Sequence, residues 1–206
     1  MIAVLDYGIG NLRSAQKGLE RASGGGVEVR LATTASEARG ATGVVLPGVG
    51  AFGRCMQALT ASGLDLVAKD AVASGTPFLG VCIGMQLLFE SSEEDPEVPG
   101  LGLLPGRIRL LPADVKRPQM QWNQLELRHP ADPLLTGIDD GAWVYFVHSY
   151  AAATATGLIA ATTDYGGPMV AMVATDNVWA TQFHPEKSGA VGLRLLSNFV
   201  RVATTT

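Results

Sequence analysis

Apolar positions follow two regimes along this chain. In the first half, short solid apolar runs alternate with stretches of helical period. MIAVLDY is such a run, and NLRSAQKGLERA behind it spaces its apolar residues as a helix until Gly24, Gly25 and Gly26 close it. VEVRLA and GVVLP are the next runs, and the loop GVGAFG leads into a long helical stretch reaching about Val72. TPFLGV is a fourth run, followed at once by the helical pattern IGMQLLFESSEE. Strands alternating with helices predict a parallel sheet covered on both faces.

Residues 93–106 (EEDPEVPGLGLLPG) are rich in turn formers and end that regime. RIRLL, QLELR, AWVYFVHSY, LIAATTDY, MVAMVAT and NVWATQF then follow as strand-like runs joined by short turns, read as added or antiparallel strands. SGAVGLRLLSNFVRVA predicts a closing helix, with ATTT fraying beyond it. No internal repeat, low-complexity tract or linker divides the chain. The expectation is an α/β fold over residues 1–206 as a single domain, with flavodoxin-like layering. Its central sheet is mostly parallel and flanked by helices, with added antiparallel strands in the C-terminal half.

Composition narrows the function classes. Hydrophobic residues make up 47% and charged residues 17%, an ordinary globular balance. A net charge of −4 and the lack of a basic stripe argue against a nucleic-acid partner. No apolar run is long enough to span a membrane, and MIAVLDYG lacks the basic start of a signal peptide. Two cysteines make no disulfide framework, so a reducing, cytoplasmic setting is expected, in which a cysteine is either filler or chemistry.

Cys82 has the setting for chemistry. It stands between Gly80 and Gly84, where a strand pattern stops and a helical one begins. That is the layout of a nucleophile elbow with cysteine in place of serine. The turn lifts the thiol to the carboxyl end of the sheet, where open α/β sheets place their sites. A helix N-terminus there favours thiolate, and its amides can meet an oxyanion. Cys55, in GRCMQAL, has no such flanks and reads as packing.

A thiolate nucleophile needs a base with an orienting group. Of three histidines, His129 lies in the polar turn RHPADP and is expected to face solvent. His148 ends AWVYFV and is expected near the site without joining the proton transfer. His184 ends NVWATQF and has a carboxylate two residues on, in HPEK, so Glu186 can return to a ring nitrogen and fix the tautomer. LPGVGAFG matches G-x-G-x-x-G from Gly48 to Gly53, but the acidic residue a dinucleotide site needs at the next strand end is missing, since Asp65 and Asp70 fall within the helix. The loop reads better as backbone amides facing Cys82, part of an oxyanion hole. No zinc spacing of Cys and His occurs, so neither metal nor cofactor is expected.

PGVGAFG, GVCIGMQLLFE and FHPEKSG together resemble the triad glutamine amidotransferases, which use Cys, His and Glu to hydrolyse glutamine to glutamate and ammonia. DYGIGNLRS, YFVHSY, TTDYGG and HPEKSG resemble, more narrowly, the branch that serves imidazole glycerol phosphate synthase in histidine biosynthesis, nearly end to end. The resemblance implies that Cys82 attacks the side-chain amide, that His184 handles protons and that Glu186 orients His184. Amides of Gly48, Val49 and Gly50 and near Ile83 would hold the oxyanion. Gln86 with His148, Ser149 and Tyr150 would hold L-glutamine. Asn11, Trp122, Tyr145 and Lys187 would face a barrel-shaped synthase (cyclase) subunit, the partner in a heterodimer. A glutaminase fold occupying all 206 residues leaves none for an ammonia acceptor, which also implies such a partner, because ammonia released to water is protonated. Where the family usually has His-Met-Gly-Trp-Asn, this chain has Gln119-Met120-Gln121-Trp122-Asn123, and Gln in place of Gly alters the freedom of what is expected to be a loop. The alternatives are a glutaminase subunit of another pathway, such as pyridoxal phosphate or anthranilate synthesis, a cysteine hydrolase on a similar frame, and a redox module using Cys82 reversibly.

Overall fold

The computed structural model describes residues 1–205. The four early apolar runs form β1 (Ile2–Leu5), β2 (Val29–Ala32), β3 (Gly43–Gly48) and β4 (Phe78–Cys82). Every residue of β1, β3 and β4 is buried, so this part of the sheet is covered on both faces. Helix α1 (Leu12–Ser23) buries Ala15 and Leu19, one turn apart, and stops at Gly24, whose left-handed φ of 60° lets its N–H reach the Arg21 carbonyl. A one-turn helix, α2 (Ala35–Ala38), starts on a capping box between Thr34 and Glu37 that the apolar pattern alone does not reveal.

The long helix expected to reach Val72 is two helices, α3 (Phe52–Ala61) and α4 (Leu64–Ala73). Gly63 separates them in a left-handed conformation, φ 72°, and Ser62 bonds back to the Leu59 carbonyl through its hydroxyl. The helix expected after Cys82 is a single turn, α5 (Ile83–Gln86). Leu87, Leu88 and Phe89 are all fully buried, which no one-sided helix can achieve. Their carbonyls are taken by the returning turn-rich segment: Leu101 N–H donates to Leu87, those of Leu103 and Leu104 to Leu88, and that of Gly102 to Phe89.

The second half supplies β5 (Ser91–Ser92), β6 (Arg107–Leu110), β7 (Gln119–Gln124), β8 (Glu126–Leu127), β9 (Trp143–His148), β10 (Tyr150–Ala153), β11 (Ile159–Asp164), β12 (Pro168–Thr175) and β13 (Val178–Thr181). The main sheet has eight strands in the order β2-β1-β3-β4-β13-β12-β11-β8. Pairing is parallel from β2 through β13 and antiparallel from β13 to β8. The outcome is the expected α/β architecture, a largely parallel sheet with antiparallel strands added by the second half. Helix α6 (Gly189–Thr205) lies beside α1 and runs through most of the ATTT segment expected to fray, with the Thr204 and Thr205 hydroxyls bonded to the Arg201 carbonyl. Thr206 lies outside the described residues. Among the described residues no helix is long and apolar enough to cross a membrane.

Candidate active site

Parallel pairing decides where the chemistry gathers. Register sets Gly48 beside Cys82, both at the carboxyl ends of β3 and β4, and β13 ends next to them at Thr181. Gln182, Phe183 and His184 continue from β13 over the same edge. A cleft of about 260 Å³ opens there, lined by Cys82, Ile83, Gln86, Glu94, His184 and the segments Val49–Gly50 and Val147–Tyr150. A larger depression of about 500 Å³ lies between α1 and α6 on the other side of Glu186. It holds neither cysteine nor histidine; the smaller cleft brings Cys82 and His184 together.

The turn that carries Cys82 is sharp. Its φ of 55° and ψ of −111° put a non-glycine residue in a sparsely populated region, at a cost of about 1–3 kcal/mol. The flanking glycines make the turn possible: a Cβ on Gly84 would overlap the Leu46 carbonyl oxygen, and one on Gly80 would come within 2.9 Å of the Gly84 carbonyl oxygen. Because α5 is only one turn long, no long helix dipole acts on the thiol. What remains are the local amides at the corner.

His184 is buried, with its Nδ1 2.9 Å from Glu186 Oε1. Both side chains are almost wholly shielded, 3% and 6% exposed. Burial pulls the imidazole pKa down, but the Cys82 thiol and then the Glu186 carboxylate outweigh it, and the ring is pushed up to about 9. His184 Nε2 is buried and makes no hydrogen bond in the resting site. The Cys82 sulfur and the ring line the same cleft, and the sulfur is the strongest influence raising the imidazole pKa. The loop is fastened from behind: Ser188 Oγ donates to the His184 carbonyl at 2.7 Å and accepts from the Tyr145 N–H at 3.0 Å, and the His184 N–H reaches the Tyr145 carbonyl at 3.0 Å.

His148 has no nitrogen free for catalysis. Nδ1 lies 2.8 Å from the Tyr150 carbonyl, which only accepts, so Nδ1 carries the proton. Nε2 lies 2.8 Å from the Gln119 side-chain amide. Burial, the largest effect, holds this ring neutral, with its pKa lowered to about 4. A neutral ring that donates from Nδ1 must accept at Nε2, so the Gln119 side-chain amide donates to it through its nitrogen. Gln119 is fully buried and Gln121 exposed in β7, which pairs antiparallel with β9. The segment expected as a loop is thus a strand, whose extended backbone any residue adopts, so the freedom of glycine is not needed at Gln121.

His148 also carries a pH prediction. An unfolded histidine takes up a proton near 6.5, whereas folded His148 resists until about 4. The unfolded chain therefore binds more protons between these values, and stability should fall as pH drops from 6.5 to 4, by on the order of 3 kcal/mol. Denaturant midpoints at pH 7, 5.5 and 4 for the native chain and His148→Asn check this. The variant should lose less stability over that interval, and an equal loss would refute the assignment.

Two polar residues at this site carry no motif signal of their own. Gln182 is fully buried; its amide nitrogen lies 3.9 Å from Cys82 Sγ, and its oxygen accepts from Gln86 Nε2 at 3.0 Å. Gln86 also donates to the Tyr150 carbonyl at 3.0 Å, and its oxygen is buried without a partner. Glu94 reaches the cleft from the turn-rich segment, with Oε2 accepting the Phe52 N–H at 2.8 Å. The one cue to Gln182 is an amide between buried neighbours at a strand end. Glu94 offers no local cue, because its place depends on the fold of the loop.

The residues expected at a partner face lie outside the cleft. Asn11 precedes α1 without a side-chain capping bond and is exposed, as is Lys187. Trp122 is 46% exposed and stacks edge-on against Tyr145, ring centres 6.0 Å apart. His129 is exposed. Asp65 and Asp70 lie within α4. Among the described residues no group of three or more His, Cys, Asp or Glu could hold a metal ion.

A strained cysteine at a strand end, with a carboxylate-held histidine across a small cleft, defines a class of thiol amidases, and comparison gives that class its name. The family model for class-I glutamine amidotransferases matches residues 3–203, and the chain belongs to that family. A crystal structure of a glutamine amidotransferase shares the fold with a TM-score of 0.76 at 21% identity, covering 98% of each chain. Within the family this chain groups with the HisH proteins. The imidazole glycerol phosphate synthase subunit HisH of Syntrophotalea carbinolica is 48% identical, covering 97% of this chain and 98% of the relative. HisH from a Synechococcus strain is 50% identical, covering 97% and 92%.

Proposed function

We propose that this chain is the glutaminase subunit of an imidazole glycerol phosphate synthase, hydrolysing L-glutamine and passing the ammonia to a cyclase subunit. The observation that carries the reading is the cleft holding Cys82 against the His184–Glu186 pair. In the cycle proposed, the Cys82 thiolate attacks the side-chain carbonyl carbon of glutamine. Amides of the Gly48–Gly50 loop and at Ile83 meet the oxyanion as it forms. His184, protonated at neutral pH because Cys82 and Glu186 hold its pKa high, gives its Nε2 proton to the leaving amine. Ammonia departs and a thioester remains. His184, now neutral, takes a proton from water, whose attack frees glutamate and restores the Cys82 thiolate beside protonated His184. The Glu94 carboxylate suits the substrate's ammonium group, and the Gln86 oxygen is a free acceptor in the same wall.

A partner is supported by surface chemistry as well as by the relatives' name of subunit. Met120, Trp122 and Trp143 are 62%, 46% and 53% exposed, unusual for large apolar side chains. They stand on the paired strands β7 and β9, whose register places Trp122 opposite Tyr145 and Met120 opposite Val147. Lys187 follows from the loop of His184. A barrel synthase seated here would take ammonia directly and keep it from water. A reducing, cytoplasmic setting suits the free thiols.

The test is a glutaminase assay of the full chain alone, with its synthase, and with the synthase holding its nucleotide ligand. Turnover should be low for the chain alone and rise strongly, by on the order of 10²-fold, when the liganded partner completes the site, as a population shift of a few kcal/mol allows. Equal turnover in all three would count against the subunit reading, and no hydrolysis in any of them would end the glutaminase reading.

A further inference from the structure

Cys55 takes no part in the chemistry above, and its sequence context suggested packing alone. The structure gives its thiol a partner. Cys55 is fully buried in α3, and its Sγ donates to the Val49 carbonyl oxygen at 3.3 Å. Burial raises the thiol pKa, so the proton stays on sulfur and remains a donor. The Tyr7 hydroxyl donates to the Pro47 carbonyl at 2.9 Å, also from the buried side. Two carbonyls of Pro47-Gly48-Val49-Gly50 are thus held from beneath.

The geometry of a peptide turns that grip into a direction. A trans peptide points its C=O and N–H opposite ways. With the Val49 carbonyl drawn onto a buried thiol, the N–H of Gly50, in the same peptide unit, is aimed away from the core. Gly50 is exposed, lines the cleft with Cys82, and its N–H bonds to no described residue. Its φ of 101° lies where only glycine is at ease, so the backbone itself does little to hold this peptide in one orientation.

We propose that Cys55 is a positioning residue for catalysis, its thiol proton fixing the Val49–Gly50 peptide so that the Gly50 N–H faces the oxyanion formed over Cys82. This rests on the glutaminase reading above. It separates the two cysteines by role: Cys82 supplies the nucleophile, and Cys55 aims a donor that the transition state needs more than the ground state does. Loss of Cys55 should therefore appear in kcat and hardly in KM.

Cys55→Ser, Cys55→Val and Cys55→Ala test this in the full chain with its liganded synthase. Serine keeps a donor, whereas valine keeps apolar bulk and loses the donor. Serine should stay within about 3-fold of the native kcat, and valine and alanine should fall about 10-fold or more with KM within about 2-fold, part of the loss seen when an oxyanion donor itself is removed. A packing residue would give the reverse order, with valine best. Alkylation of Cys82 by iodoacetamide passes through no oxyanion, so its rate should match the native chain in all three variants. The inference is overturned if valine equals or exceeds serine in kcat, or if alkylation slows in step with hydrolysis. A Cys82→Ala control separates the failures: hydrolysis surviving it would sink the active-site reading, and this inference with it. Hydrolysis lost there but unchanged in Cys55→Val would sink this inference alone.

Discussion

Cys82→Ala is expected to remove glutamine hydrolysis, by on the order of 10⁴-fold or more, as loss of a covalent nucleophile does elsewhere. The thiol is the one cysteine in the cleft, set on a backbone held at φ 55°. Alanine has no better access to that conformation than cysteine and needs less room, so the fold should survive. Melting temperature and partner binding should stay near native values. Synthesis fed with ammonium salt should continue in the assembled enzyme, because the acceptor chemistry belongs to the partner. Hydrolysis that persists in Cys82→Ala would end the mechanism, and loss of ammonia-fed synthesis as well would mean that the variant harms the assembly.

Glu186→Gln should lower glutamine-dependent synthesis at least about 10-fold while leaving ammonia-dependent synthesis near normal. The amide keeps the shape of the carboxylate and removes the charge that steadies the His184 imidazolium. The loss should stay below the roughly 10⁴-fold seen when a serine triad loses its orienting carboxylate, because Cys82 also supports the cation. The pH profile gives the sharper reading. Protonated His184 is needed to release ammonia, so the native alkaline limb should fall near pH 9. Without the anion the imidazolium is less favoured and the limb should move to lower pH, by about one unit or more. Collapse of ammonia-fed synthesis would instead assign Glu186 to the interface beside Lys187. No change in either activity or in the limb would show that His184 takes its orientation from elsewhere.

Local patterns made much of this protein legible in advance. Solid apolar runs marked β1, β3 and β4, because strands buried on both faces admit no polar positions, and the glycines around Cys82 marked a corner that other residues cannot turn. Cys82, and the separation of two between His184 and Glu186, were readable because the first is a backbone demand and the second a local reach. Tertiary structure decided what depends on distant partners. The helix after Cys82 ends after one turn because Leu101–Leu104 return to claim the carbonyls of Leu87, Leu88 and Phe89 just beyond it. Gln119 and Gln121 lie in a strand because β9 pairs with them. Gln182 and Glu94 enter the cleft, and Cys55 meets the Val49 carbonyl, through contacts that no local period encodes. The sequence by itself determined most of the strands, the Cys82 corner and the likeness to the family. Only the folded chain decided which buried polar atoms face one another, since a hydrogen bond depends on positions in space that residues far apart in the chain reach together.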